Sequence, residues 1–149
     1  MSNVKQTKAI AVVMAIIHQD GKYLMQLRDD IPTIVYPGVW GFFGGHIEPG
    51  ELPEVALRRE LLEEINYSAP LLSKFCTIPG ENYLRHIYHC PLNVSVSTLE
   101  LNEGWDLKLL TLQEITQGFA YSERAIANKQ LGDVHHQIML NFIATTSKH

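Results

Sequence analysis

The stretch from Gly45 to Tyr67 restricts this chain more than any other. Five residues separate Gly45 from Glu51, and seven more lead to Arg59-Glu60-Leu61-Leu62-Glu63-Glu64-Ile65-Asn66-Tyr67. A helix advances about 100° per residue, so Glu60, Glu63 and Glu64 share an arc of roughly 100° on one face. Like charges at that spacing destabilise a helix unless something positive sits against them, and a divalent metal is the obvious partner. Gly44 and Gly45 stand just ahead of the helix. Without side chains, their backbone can come close to a metal or a phosphate, and a carbonyl there can add an oxygen ligand. Arg59 can grip a neighbouring carboxylate with a two-pronged hydrogen bond. Glu51, about two turns earlier, is positioned to be that partner.

A glutamate pair on a helix is by itself ordinary solvated surface, and a lone Gly-Gly is by itself a turn. The joint spacing carries the signal. Hard cations such as Mg²⁺ prefer carboxylate oxygens and often bridge them to substrate phosphates. The chemistry this points to is metal-assisted phosphoryl transfer, with charge neutralisation, orientation and activation of a water.

The rest of the chain frames this segment. Residues 9–17 read as a buried strand, Asp20-Gly21 as a tight turn and Tyr23 to Arg28 as the hairpin partner. Residues 29–39 read as a loop, and Trp40 to Phe43 as a short apolar piece leading into Gly44-Gly45. Pro53 suits the first turn of a helix over about Leu52 to Ile65. Leu52, Val55, Leu57, Leu61, Leu62 and Ile65 are expected on its core side, with Ala56, Glu60, Glu63 and Glu64 opposite. Asn66 is expected to close it in a left-handed cap. Two or three strands follow between Leu71 and Val96, turning at Pro79-Gly80, then a strand at Leu107 to Leu110 and a short helical turn at Gln113 to Gln117. A last helix covers Val134 to Thr145, with Val134, Ile138, Leu140 and Phe142 inward. Strands flanking one helix, with a second helix closing the chain, predict an α/β fold with a mixed sheet.

The chain has 149 residues and 46% apolar content, which suits one domain over 1–149 with a real core. A net charge of −4 argues against a surface that wraps a nucleic-acid polymer. It leaves room for a small phosphorylated substrate if a metal supplies local positive charge. The two cysteines, Cys76 and Cys90, form no disulfide framework and read as buried thiols. Lys5 and Lys8 before the run Ala9 to Ile17 loosely imitate a secretion signal, but a turn follows where a cleavage site would stand. No apolar run is long enough to span a bilayer. The expected location is the cytoplasm, with no membrane partner, as a monomer or a homodimer.

The segment resembles the signature of the Nudix hydrolases: Gly, five residues, Glu, seven residues, Arg-Glu-aliphatic-x-Glu-Glu-x-Gly-aliphatic. Trp40 ahead of Gly44-Gly45 and an acidic-Gly element at Glu103-Gly104 are similar to the family as well. Asn66 stands for the last glycine, Tyr67 for an aliphatic residue, and Phe43 where many members have proline. Asn tolerates the left-handed conformation, and no carboxylate is lost. The resemblance implies a Nudix-like α/β/α sandwich. It also implies hydrolysis of a pyrophosphate bond in a nucleoside diphosphate linked to another group, with Mg²⁺ or Mn²⁺. By position it makes Glu60, Glu63 and Glu64 the metal carboxylates and Gly44 the carbonyl ligand. Glu60 then activates the water, alone or with Glu103, beside Arg59 and Glu51.

Outside this box, Arg28 ends the second strand and could hold a phosphate or make a surface salt bridge. Tyr36, Phe42, Tyr83 and Trp105 could each stack on a base or simply pack. Glu103 could reach the metal or lie in solvent. His86 and His89 fall on opposite faces of a strand, and His135-His136 read as helix surface. A short chain without a large N-terminal extension leans toward nucleoside triphosphates, oxidised or ordinary, over ADP-ribose and nucleotide sugars. The alternative is a Nudix-fold module that senses a nucleotide without cleaving it.

Overall fold

The computed structural model describes residues 9–34 and 37–146. Strands β1 (Ile10–Gln19) and β2 (Lys22–Leu27) form a hairpin across Asp20 and Gly21, with Gln19 opposite Lys22. Both turn residues have positive φ, 52° and 74°, the conformation that a two-residue hairpin loop needs to match strand twist. Strands β3 (Trp40–Gly41) and β4 (Phe43–His46) follow, then helix α1 (Pro53–Ile65), β5 (Ser73–Pro79) and β6 (Tyr83–Pro91). After a 3-10 turn at Val96–Thr98 come β7 (Asp106–Leu110), α2 (Leu112–Gln117), β8 (Phe119–Ser122), β9 (Ala127–Gln130) and α3 (Asp133–Thr146).

Among the described residues the main sheet is mixed and has seven strands. β1 pairs in parallel with β6 along one edge, and antiparallel with β4 and β2 along the other. β2 carries β3 and β7 onward, and β5 closes the far side against β6. Alternation along β1 divides its side chains between two cores. Val13, Ala15 and Ile17 pack with Leu57, Leu61 and Ile65 of α1. Ile16 packs with Ile115 of α2, Ala120 of β8 and Ile138, Met139 and Phe142 of α3. The result is the expected α/β/α sandwich. The short β8–β9 hairpin, absent from the sequence reading, adds to the α3 side. Cys90 is buried, Cys76 is half-buried, and both are free thiols. Among the described residues no helix is long and apolar enough to cross a membrane.

Helix α1 starts with Pro53 at its first turn and ends on Asn66, at φ 54° and ψ 39°. Asn66 N–H donates to Leu62 O at 3.0 Å, the closing bond of a left-handed cap with asparagine in the usual glycine position, and Tyr67 N–H donates to Leu61 O at 3.2 Å. Tyr67 then turns inward, and its hydroxyl lies 2.9 Å from both Pro91 O and Asn93 Oδ1. The face assignment of α1 needs correction. Leu52, Val55 and Leu62 are 68%, 52% and 47% exposed, whereas Ala56 is fully buried and Glu64 is 5% exposed. The helix sits rotated toward its carboxylate edge, because the glycine strand opposite leaves room there that apolarity alone does not reveal.

Candidate active site

The site is built where β4 runs between β1 and α1. Gly44 lies opposite Met14, and Gly45 opposite Val13. A Cβ at Gly44 would collide with the Val13 carbonyl, and one at Gly45 would stand 2.6 Å from the Glu60 carboxyl carbon. The absent side chain at Gly45 therefore lets the carboxylate edge of α1 lie against strand backbone, and the one at Gly44 lets β4 close on β1. Gly44 N–H donates to Glu64 Oε2 at 3.1 Å.

Arg59 organises the remaining acids. Its Nε and Nη2 both donate to the Glu51 carboxylate at 2.9 Å, as the spacing predicts. Its Nη1 donates to Glu60 Oε1 at 2.9 Å, and its Nη2 to the His46 carbonyl at 3.2 Å. Glu51 also accepts from Glu48 N–H at 3.0 Å. The Arg59 hydrogen bond pulls the Glu51 carboxyl down to about 2, and the same contact raises the guanidinium pKa. This fork fixes Arg59, and Arg59 in turn fixes Glu60.

Burial pushes the Glu64 carboxyl up to about 9, with the Glu60 and Glu103 charges adding to the rise and the Gly44 N–H and Arg28 opposing it. Burial raises Glu60 as well, with Arg59 opposing and Glu63 and Glu103 adding. Carboxylates crowded in this way gain from a nearby cation. Glu60, Glu64 and Glu103 line one cleft together with Gly44 and Gly45. This is an all-oxygen donor set of the kind hard divalent ions take, so the residues fit such an ion in kind. Among the described residues no three acidic, histidine or cysteine side chains are drawn around a single point. Glu63 does not line the cleft; its side chain is 60% exposed and lies 3.6 Å from Arg59.

The cleft has a volume of about 510 Å³, within the range of small-molecule sites. It brings Arg28, Phe42 and Tyr83 together with the carboxylates. Trp105 lies elsewhere, with Lys129 Nζ 5.1 Å from its ring centre. Tyr36 falls outside the described residues. His89 contacts Phe142 on the α3 side of the sheet; alternation along β6 puts His86 on the other. Two buried polar or charged lining residues, Arg85 and His135, escaped the sequence reading. Arg85 is buried on β6, its guanidinium 5.2 Å from the Tyr83 ring centre; alternation with Tyr83 was the available signal. His135 was expected on the helix surface, and this is corrected: it is 6% exposed, lines the cleft, and accepts from Phe42 N–H through Nδ1 at 3.2 Å. The neighbouring His136 is half-buried, with Nε2 2.7 Å from Ile115 O. The start of α3 packs against β3, so residues near its N-terminus face the sheet.

Comparison with known proteins bears on the fold and the family. A solved MutT NUDIX hydrolase from Burkholderia pseudomallei superposes with a TM-score of 0.69 at 20% identity, covering 90% of this chain and 97% of that one. The NUDIX domain of NrtR from Shewanella oneidensis, solved in complex with ADP ribose, superposes with a TM-score of 0.71 at 18% identity, covering 99% and 94%. At these identities the likeness concerns the fold. A curated relative, nucleoside triphosphatase NudI of Escherichia coli, is 47% identical over 55 residues. That match spans 36% of this chain and only 38% of the relative's length. The NUDIX domain family model matches residues 7–130. With the match running over most of its length, the chain belongs to the NUDIX domain family.

Proposed function

We propose that this protein is a divalent-metal-dependent pyrophosphohydrolase of small nucleotides, with nucleoside triphosphates favoured as substrates. One observation carries the reading. A single cleft holds the crowded carboxylates Glu60, Glu64 and Glu103 beside a bare glycine backbone, and also holds Arg28, Tyr83 and Phe42. The acids suit a cation, Arg28 a phosphate and the two rings a base. Glu60 and Glu64, with the Gly44 carbonyl and with Glu63 turned in from the surface, would hold the ion. Such a cation supplies charge neutralisation and a more acidic water. Glu60, with Glu103 as a second candidate, takes the proton from the attacking water. Arg59, fixed by Glu51, holds Glu60 in place. The preference for triphosphates is supported by the name of the relative NudI and by the MutT neighbour. A negatively charged chain suits a small-molecule reaction, in the cytoplasm, better than a nucleic-acid polymer.

The test is product release across canonical and 8-oxo triphosphates, ADP-ribose, nucleotide sugars and diadenosine polyphosphates, with Mg²⁺, with Mn²⁺ and with chelator. Metal-dependent cleavage that is lost in Glu60→Gln and Glu64→Gln is the expected result. A second reading, a sensor without turnover, is favoured by the NrtR domain solved with ADP ribose. Ligand-induced thermal stabilisation with no cleavage of any compound would select it.

A further inference from the structure

We propose that Asn102 is a positioning residue for the reaction, tying its loop to the carbonyl end of α1 so that Glu103 is held at the cleft beside Glu60 and Glu64. This deepens the proposed function and rests on it for the role of the cleft. A helix leaves its last four carbonyls without partners inside the helix, and in α1 these belong to Leu62, Glu63, Glu64 and Ile65. Asn66 N–H takes the first of them at 3.0 Å. The loop before β7 takes the other three. Glu100 N–H donates to Ile65 O at 3.1 Å, and Asn102 N–H to Glu64 O at 2.9 Å. Asn102 Nδ2 donates to Glu63 O at 2.8 Å, across 39 residues of sequence. That partner is a carbonyl, so the side-chain amide must present its nitrogen there. Of these three bonds only this one comes from a side chain, so residue identity matters at Asn102.

The far side of Glu103 is anchored as closely. Trp105 N–H donates to Leu27 O of β2 at 2.8 Å. Gly104 has a φ of 101°, and a Cβ there would stand 3.0 Å from Gln26 Oε1 and 3.2 Å from Leu27 O. Leu99 and Leu101 pack against the core under α1. Glu103 is thus the single residue between an anchor on the helix and an anchor on the sheet. It lines the cleft with Glu60 and Glu64, and its charge acts on both. A loop free to drift would carry Glu103 out of register with those two acids. A misplacement of about 1 Å near the chemistry costs on the order of 100-fold in rate. Bonding to the backbone of Glu63 and Glu64 makes the loop move with the segment it must complete. Asn102 itself is exposed, so water can replace its bond to Glu63 O, and its loss should cost the fold little.

The experiment is a double-mutant cycle of Asn102→Ala, Glu103→Gln and the pair. It is read by kcat and KM on the nucleoside triphosphate that the wild type cleaves fastest, and separately by calorimetric titration with Mn²⁺ alone. We expect Asn102→Ala to keep its melting temperature in chelator and its KM while kcat falls by about tenfold, the low end for a supporting contact behind an active group. Glu103→Gln should lower kcat further. The pair should match Glu103→Gln alone, in kcat and in any loss of Mn²⁺ affinity, because a residue that acts through Glu103 then has nothing left to position. Losses that multiply in the pair overturn the proposal, since Asn102 would then act on the fold. A single variant that keeps both the wild-type kcat and the wild-type Mn²⁺ affinity overturns it as well. A wild type that cleaves nothing overturns the proposed function, and the Mn²⁺ cycle then decides the positioning by itself. Weakened Mn²⁺ binding in both single variants, with no further loss in the pair, supports it; any other pattern, including no Mn²⁺ binding at all, overturns it. If Asn102→Ala fails to fold, amide hydrogen exchange of the wild type in chelator decides. The Glu100 and Asn102 amides must be protected as well as the last turn of α1, and exchange at the rate of free chain overturns the docking.

Discussion

Glu64 is a carboxyl group that the fold buries against a glycine strand. Its pKa stands near 4.5 unfolded and is raised to about 9 in the fold, chiefly by burial. Between those values the folded state holds a proton that the unfolded state has released. The associated stability is present below about pH 4.5 and is lost as pH rises toward about 9. With chelator present, the melting temperature should therefore fall across this window. Glu64→Gln should flatten that fall, and Mg²⁺ should restore wild type but not the variant at the alkaline end. Parallel curves for the two proteins would contradict the burial described. Arg59 gives a second expectation. Arg59→Lys keeps the charge but loses the fork that grips Glu51 while reaching Glu60. Turnover should drop on the order of 10–100-fold, the usual effect of a supporting contact behind a metal ligand, with little change in melting temperature. The partnership of Glu51 and Arg59 was legible because it depends on spacing along one segment. The burial of Glu64 and His135 was not, because it depends on glycines across the interface whose only sequence signal is an absent side chain.

Within α1, Leu61 and Leu62 are neighbours that hydropathy cannot tell apart. Leu61 is fully buried in the core under β1, and Leu62 is 47% exposed. Leu61→Ala should cost about 2–5 kcal/mol, and Leu62→Ala within about 0.5 kcal/mol of nothing. Chemical denaturation of both variants reads the difference directly; equal losses would mean the helix is rotated from the orientation described. The extent of the helix was legible, since Pro53 and Asn66 mark its ends by backbone chemistry. Its rotation was not, because the exposed Leu52, Val55 and Leu62 look as apolar as the buried stripe. The β8–β9 hairpin escaped for a related reason. Phe119 and Tyr121 are partly exposed, and short strands with polar neighbours give little alternating signal.

At the scale of the molecule, one short stretch of chain joins both helical layers to the cleft. Trp40 Nε1 donates to Ala120 O of the hairpin at 3.2 Å, and Trp40 O accepts from Gly132 N–H, just ahead of α3, at 2.9 Å. Phe42 N–H holds His135, and Gly44 N–H holds Glu64 of α1. Residues 40 to 44 therefore couple the α3 side, the sheet and the α1 side through alternating backbone groups. Layers tied at such close intervals should unfold together. Thermal unfolding followed by far-UV circular dichroism and by tryptophan fluorescence should give coincident transitions, as expected of one domain. Trp40→Phe keeps the ring packing but leaves Ala120 O without its buried donor, a loss of about 1–3 kcal/mol. It should lower the midpoint with both probes still coincident. Two separated transitions in the variant would show that the hairpin and α3 form a unit held to the sheet chiefly through Trp40. The wall of the cleft that carries His135 could then open without loss of the carboxylate end.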